Sequence, residues 1–284
     1  MKVIRADKLG FCFGVEHAIE LAEATVERQS PVYSLGPIIH NSQVVDRLAQ
    51  KGINVVESLD HAPDGTVLIR SHGVGPATME AINESRRDVV DATCVRVRRA
   101  QNTVEKLHEE GYQVVMIGDA DHPEVKGIVA YAPHVIIVNC SGDIDSLPKD
   151  ARLGIVAQTT YSPKHFGQMV GEIVSRRFRE IKVVNTLCPE VIRRQQAAVN
   201  LCAKVDVMFV LGGLHSANTQ ELARLCQEQD VPTYHLENWE SFRADFVQGC
   251  ETAGVTAGAS TPPWVIDEFV ENLEAMQRLC EHYA

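Results

Sequence analysis

Residues 88–118 read DVVDATCVRVRRAQNTVEKLHEEGYQVVMIG, and this stretch decides the fold. A β-like run ends on Cys94. Val97, Ala100, Val104 and Leu107 then recur at helical spacing and form one apolar stripe, and a second β-like run, YQVVMIG, follows. Strand, helix and strand in that order predict parallel pairing with the helix as the crossover, because antiparallel neighbours need only a hairpin.

Outward from this stretch the same order recurs. Ile19, Ala22 and Val26 continue a helix after Cys12, PVYSLG is a strand, and NSQVVDRLAQKG is a helix ended by Gly52. NVVES and TVLIRS are strands separated by the turn Pro63-Asp64-Gly65, and PATMEAINESRR is a helix. Further on, HPEVKGIVAYA, SPKHFGQMVGEIVSRRF, QQAAVNLCAKV, NTQELARLCQEQ and PPWVIDEFVENLEAMQRLC read as helices. HVIIVNC, LGIVAQ, KVVNTLC, DVMFVLGG, PTYHLEN and ETAGVTAG read as strands. The polar loops that follow the carboxyl ends of such strands are where open α/β sheets bind ligands.

Three cysteines head similar segments: Cys12 in GFCFGVEHAIELAEA, Cys94 in ATCVRVRRAQNTVEKL and Cys188 in TLCPEVIRRQQAAVNL. A histidine follows each at nearly constant distance: His40, His122 and His215. A third polar group then closes each segment, His72 in VLIRSHG, Thr159 in IVAQTT and Ser260 in GVTAGAS. The fold expected is α/β: three similar small domains with parallel-type sheets in a pseudo-threefold arrangement that brings the thiols to one centre. The expected bounds are 1–92 plus 262–284 for the first, 93–186 for the second and 187–261 for the third.

The chain has 284 residues, 45% of them hydrophobic and 23% charged, as in ordinary globular proteins. Its net charge of −11 argues against nucleic-acid or anionic-membrane binding, which need a basic footprint. MKVIRADKLG lacks the apolar core of a signal peptide, and no run approaches the roughly 18 apolar residues of a membrane span. A cytoplasmic protein is expected. Its eight cysteines are then metal ligands, redox groups or small buried hydrophobes rather than a disulfide framework.

None of Cys12, Cys94 and Cys188 lies in a CxxC pair, and a cysteine at a strand end is often just a small buried residue. Three thiolates suit either zinc with an open fourth position or a 4Fe-4S cube with one iron left free. Cys140, Cys202, Cys226, Cys250 and Cys280 lack the shared setting and read as core or surface thiols.

GFCFGV at Cys12, IIHN at His40, SHGV at His72, DATC at Cys94, HPEVKG at His122, AQTT at Thr159, TLC at Cys188 and GVTAGASTP at Ser260 occur in order. Over almost the whole length, from Cys12 to about Ile266, the chain closely resembles the LytB/IspH family of isoprenoid biosynthesis, the 4-hydroxy-3-methylbut-2-enyl diphosphate reductases. Eight motifs in register make that resemblance specific. It implies a 4Fe-4S cluster held by Cys12, Cys94 and Cys188, with the fourth iron open to the substrate hydroxyl. It also implies reductive removal of that hydroxyl, giving isopentenyl and dimethylallyl diphosphates, and an external electron donor of the ferredoxin or flavodoxin type.

By the same resemblance the diphosphate is held by His40, His72, His122, Ser216, Asn218 and Ser260, with Thr159 and Thr160 assisting. Glu124 matches the proton-relay acid, and Thr159 the hydroxyl that orients it. His215, which the repeat counts, gives way to Ser216 and Asn218. His17, His61, His108, His134, His165, His235 and His282 read as surface or packing residues. The chain departs from the family pattern at Val95, at Pro189-Glu190-Val191 and at Ala217. Glu190 is expected to add negative charge near the cluster and lower its potential. Glycines around Gly212 and Gly258 are expected to permit domain motion. Two other readings stand beside the reductase: a paralogue that uses the same open iron to dehydroxylate or hydrate another small molecule, and a non-catalytic iron–sulfur or zinc redox sensor.

Overall fold

The computed structural model describes residues 1–29 and 31–282, with side chains to Met276; the side chains of Cys280 and His282 lie outside the described residues. Its regular elements, in chain order, are β1 (Lys2–Arg5), α1 (Phe13–Arg28), β2 (Val32–Leu35), α2 (Ser42–Gln50), β3 (Ile53–Val56), β4 (Thr66–Ile69), α3 (Pro76–Glu84), β5 (Val89–Asp91), α4 (Val95–Glu109), β6 (Gln113–Ile117) and α5 (Pro123–Val129). Then come β7 (Ile136–Val138), β8 (Arg152–Ala157), α6 (Pro163–Ser175), β9 (Glu180–Val183), α7 (Pro189–Cys202), β10 (Val207–Leu211), α8 (Ala217–Gln227), β11 (Thr233–Leu236), β12 (Thr252–Ala257) and α9 (Pro263–His282).

The strands form three four-stranded sheets, in the orders β1-β12-β10-β11, β3-β2-β4-β5 and β7-β6-β8-β9. Every pairing is parallel. The three-unit α/β reading of the sequence is the observed architecture. Its phase along the chain differs. Residues 2–5, a strand too short to show periodicity, pair with β12. Helix α9 packs Ile266, Phe269, Val270 and Leu273 on the same sheet. Residues 1–5 and 262–282 therefore belong with the third sheet, whereas 1–92 and 262–284 were expected in the first unit, because β12 needs a parallel partner and an apolar cover.

In each sheet the edge strand that precedes a cysteine (β5, β9 or β1) lies beside the strand that leads to a third polar group (β4, β8 or β12). The strand that leads to a histidine or serine (β2, β6 or β10) comes next. The structural sets are thus His40, His72 and Cys94; His122, Thr159 and Cys188; Ser216, Ser260 and Cys12. Each cysteine closes a unit rather than opening one.

Two elements differ locally from expectation. The strand expected to run through KVVNTLC stops at Val183, because side chains replace the ladder beyond it. Thr186 Oγ1 accepts the Ala157 N–H at 2.8 Å and donates to the Ala157 carbonyl at 2.6 Å, while Asn185 Oδ1 accepts the Leu187 N–H at 3.0 Å. Helix α7 starts at Pro189, earlier than the apolar pattern suggests, since proline suits a first turn where no amide donor is needed.

The chain divides into two compact units, one of residues 1–13, 40–44 and 189–284, the other of residues 14–39 and 45–188. The first holds the sheet of β1, β12, β10 and β11. At its core lies Phe209, fully buried, whose ring centroid lies 5.2 Å from Phe269, 5.7 Å from Phe242 and 5.9 Å from Tyr234. The second holds the other two sheets, with the predicted stripe Val97, Ala100, Val104 and Leu107 buried against Val114, Met116 and Val156. Among the described residues no helix is long and apolar enough to cross a membrane. Phe209→Ala is expected to cost about 3–5 kcal/mol by opening a cavity among these rings. Equilibrium denaturation measures it, and a loss below about 1 kcal/mol would mean the ring packing contributes little.

Candidate functional site

One backbone hydrogen bond recurs three times. The Cys94 N–H donates to the Ser71 carbonyl at 3.0 Å, the Cys188 N–H to the Thr159 carbonyl at 2.8 Å, and the Cys12 N–H to the Ala259 carbonyl at 3.2 Å. Each acceptor lies in the loop after the neighbouring strand, at or next to the third polar group: His72, Thr159 or Ser260. The bond joins the loop that carries a thiol to the loop that carries a polar side chain, and both lie at the carboxyl ends of parallel strands, where binding loops gather. Cys94 and Cys188 then precede the first residues of α4 and α7.

In the unit of residues 14–39 and 45–188, the sequence HPEVKG folds as a helix start. His122 caps α5, with Pro123 in the first turn, and its Nδ1 accepts the Glu124 N–H at 3.1 Å. That bond places the proton of the neutral ring on Nε2. The His122 and His72 rings meet edge to face at 5.7 Å. Glu124 is buried, and both its oxygens are used: Oε1 accepts the Thr159 N–H at 2.7 Å and Oε2 the Thr159 hydroxyl at 2.9 Å. Burial pushes the Glu124 carboxyl above its ordinary range, against the two Thr159 bonds that pull it down. Thr159 therefore ties the acid to Cys188 through its own N–H, hydroxyl and carbonyl. Thr160 Oγ1 accepts from Gln158 Nε2 at 3.1 Å, and Gln158 Oε1 accepts the Asp119 N–H at 3.0 Å.

In the unit of residues 1–13, 40–44 and 189–284, Ser216 caps α8, accepting the Thr219 N–H at 3.4 Å. Asn218 stands in the first turn, 6% exposed, and among the described residues neither its Oδ1 nor its Nδ2 has a hydrogen-bond partner. A buried amide with both ends unmet costs free energy unless a ligand engages it. Ser260 Oγ donates to the His40 carbonyl at 3.2 Å, bringing those two predicted residues together. His215 is exposed while Ser216 and Asn218 are buried. Gly212 and Gly258 serve close packing, since a Cβ there would run into Thr261 Oγ1 and Thr219 Oγ1 respectively.

Arg194 was not singled out from the sequence. It is 3% exposed, and its guanidinium donates to the Gly10 carbonyl from Nε at 3.3 Å and Nη2 at 3.1 Å, to the Phe11 carbonyl at 2.8 Å and to the Glu190 carbonyl at 3.0 Å. It latches the turn that precedes Cys12. Its signal was there: Val191, Arg194, Gln195 and Ala198 form a helical stripe, and two polar residues on a buried stripe need partners. Glu190, expected to add negative charge, is paired with Arg193 at 2.7 Å and Arg194 at 3.6 Å, which offset it.

Cys94 and Cys188 belong to one unit and Cys12 to the other. Among the described residues no three His, Cys, Asp or Glu side chains are grouped as a metal site. The donor set still fits a thiophilic metal group in its chemistry, with three thiols at equivalent places in three equivalent sheets.

The profile of the LytB protein family matches residues 3–274. A protein of Trichlorobacter lovleyi named 4-hydroxy-3-methylbut-2-enyl diphosphate reductase is 46% identical over 275 residues, 96% of this chain and 98% of its own. One of the same name from Geotalea uraniireducens is 44% identical over 283 residues, 99% of this chain and all of its own. A solved structure of (E)-4-hydroxy-3-methyl-but-2-enyl diphosphate reductase, described as the terminal enzyme of the non-mevalonate pathway, matches with TM-score 0.72 and 39% identity, over 97% of this chain and 100% of that one. The Plasmodium falciparum E-1-hydroxy-2-methyl-but-2-enyl-4-diphosphate reductase matches with TM-score 0.92 and 29% identity, over 96% and 87%.

Two measurements test this geometry. A carboxyl whose folded pKa is raised holds its proton longer in the folded chain, so Glu124 destabilises the fold progressively as pH rises from its ordinary value of 4.5 through the raised one. Glu124→Gln is therefore expected to gain stability relative to the parent between about pH 5 and pH 8 in denaturant titrations; an equal difference at both would contradict the raised value. Arg194→Met is expected to lose about 1–3 kcal/mol and to expose Cys12 to faster thiol labelling, with labelling of Cys94 as the internal reference. An unchanged Cys12 rate would remove the latch.

Proposed function

Because this chain belongs to the LytB protein family, we propose that Cys12, Cys94 and Cys188 hold a 4Fe-4S cluster, and that the polar groups described above bind an allylic diphosphate and deliver a proton to it. The chain is an oxidoreductase, and its reaction is the reductive step from 4-hydroxy-3-methylbut-2-enyl diphosphate at the end of the non-mevalonate pathway. Two electrons and two protons enter, the hydroxyl leaves as water, and isopentenyl and dimethylallyl diphosphates form with the diphosphate retained. A cluster held by Cys12, Cys94 and Cys188 would supply the electrons of the reduction and leave one iron open to the substrate hydroxyl.

The observation that carries this reading is the Glu124–Thr159–Cys188 connection. Burial raises the hold of the Glu124 carboxyl on its proton, which suits it to deliver one, and the removal of a hydroxyl as water needs a proton donor. Thr159 holds both Glu124 oxygens and accepts the Cys188 N–H, so the acid keeps a fixed position relative to a cluster ligand. A mobile acid would lose most of that advantage.

The diphosphate end needs donors in number, because buried phosphate charge left unpaired is prohibitive. Asn218 offers its Nδ2 donor in the first turn of α8, whose unpaired amides and dipole favour an anion. The hydroxyls of Ser216 and Ser260 and the imidazoles of His40, His72 and His122 complete the set. His122 contributes through Nε2, since Nδ1 already accepts from the backbone. Ala217 keeps its place at the head of α8 and offers no hydroxyl, so Ser216 and Asn218 carry that side. Electrons come from an external carrier of the ferredoxin or flavodoxin type.

Anaerobic turnover of the reconstituted chain with chemically reduced viologen should yield both five-carbon diphosphates. No product from a preparation with a full iron complement would send the reading to the paralogue. Glu124→Gln should retain iron and substrate binding while kcat falls about 10²–10⁴-fold. Asn218→Ala should raise KM roughly tenfold to a hundredfold, the loss of one charge-assisted hydrogen bond, with kcat little changed. An unchanged KM would take Asn218 out of the diphosphate site.

A further inference from the structure

Helix α4 and the edge strand β9 enclose a groove of about 500 Å³ that the reaction chemistry does not use. Val95, Arg99, Asn102 and Lys106 recur along α4 at helical spacing and line one wall with Arg98, while Lys182 and Val184 form the other. The lining holds four cations and no carboxylate. Asp91 pairs with Arg98, and Glu110 with Lys182 and, at 4.0 Å, with Lys106. Arg99 makes no ion pair among the described residues, so the groove keeps a positive surplus on a chain of net charge −11.

Its position matters as much as its charge. Val95, at one end of the lining, follows Cys94 directly in the chain and is 61% exposed; Val183, on β9, is 41% exposed. The surface therefore has an apolar point at the cysteine end and cations along its length. An acidic protein approaching a molecule of net charge −11 meets repulsion over most of its surface. A basic groove gives it an attractive face, which raises the encounter rate and selects the orientation.

The geometry points to this α4–β9 groove as the docking surface for an acidic one-electron carrier protein, seated so that its redox group faces Val95 and Cys94. The inference rests on the reading of Cys94 as a cluster ligand. Each encounter oxidises one reduced carrier and passes one electron to the chain, so two encounters supply the two electrons of a turnover. A small reductant needs no such surface.

The test compares the reconstituted parent with Arg99→Glu/Lys106→Glu, both exposed positions outside the substrate and cluster residues. A control, Lys149→Glu/Lys204→Glu, makes the same net charge change at exposed residues that do not line the groove. Calorimetric titration with an oxidised, acidic plant-type ferredoxin and with an acidic flavodoxin gives Kd at low and high salt. Turnover is measured with each reduced carrier and with reduced methyl viologen. The groove variant should raise Kd and carrier KM about tenfold or more for at least one carrier, flatten the salt dependence, and leave viologen turnover and the unfolding midpoint unchanged. Unchanged Kd and KM, equal weakening in the control, or failure of the parent to bind either carrier would overturn the docking surface. Absence of viologen turnover in the parent would instead strike the reductase reading, while the titration still decides the groove.

Discussion

The hydrogen bond from each cysteine amide to the loop beyond the adjacent strand is the constraint on which the rest of the site depends. A parallel sheet delivers all its strands' carboxyl ends to one side, but the loops there are free to splay unless something joins them. Cys94 to Ser71, Cys188 to Thr159 and Cys12 to Ala259 make that join in the same way in each sheet. A thiol and its polar neighbour thus become one rigid element. The bond also explains why a cysteine belongs structurally with the polar groups that precede it in sequence: the edge strand bearing it docks on a strand already laid down, or, for β1, on one formed at the far end of the chain.

Thr159 shows how much one residue in such a join can carry. Its backbone N–H and its hydroxyl meet the two oxygens of Glu124, and its carbonyl takes the Cys188 amide. A buried carboxyl left without donors would distort or move toward water; one supplied with too many would ionise. Two donors and full burial leave Glu124 in place with its proton affinity raised. Position and raised proton affinity follow from the same few atoms.

The unit built on β1, β12, β10 and β11 solves a different problem. Its buried Asn218 has both amide atoms unmet among the described residues, while the surroundings are close-packed: Gly212 and Gly258 admit no side chain, and Arg194 fixes the carbonyls of Gly10 and Phe11. Such a site holds its unpaired polar atoms in readiness because the packing around them leaves no room to turn away. Arg194 meets three backbone carbonyls and the Glu190 carboxylate, so a buried cation becomes part of the scaffold rather than a liability.

The sequence by itself determined the alternation of strand and helix, the parallel sheets and the three-fold repetition. These follow from local periodicity, from proline and glycine at element ends, and from motifs whose residues stand close together in the chain. It did not determine which repeat segments share a sheet. The four-residue β1 has no periodic signal of its own, and its pairing with β12 joins residues at opposite ends of the chain, so Cys12 was grouped with His40 and His72 when its sheet neighbour is Ser260. Nor did it determine what Arg194, Glu190 or Gly258 does, because each acts on a group brought near only by folding. The raised pKa of Glu124 was likewise decided by tertiary structure, since a glutamate near a helix start acquires one only when the surrounding chain removes water from it.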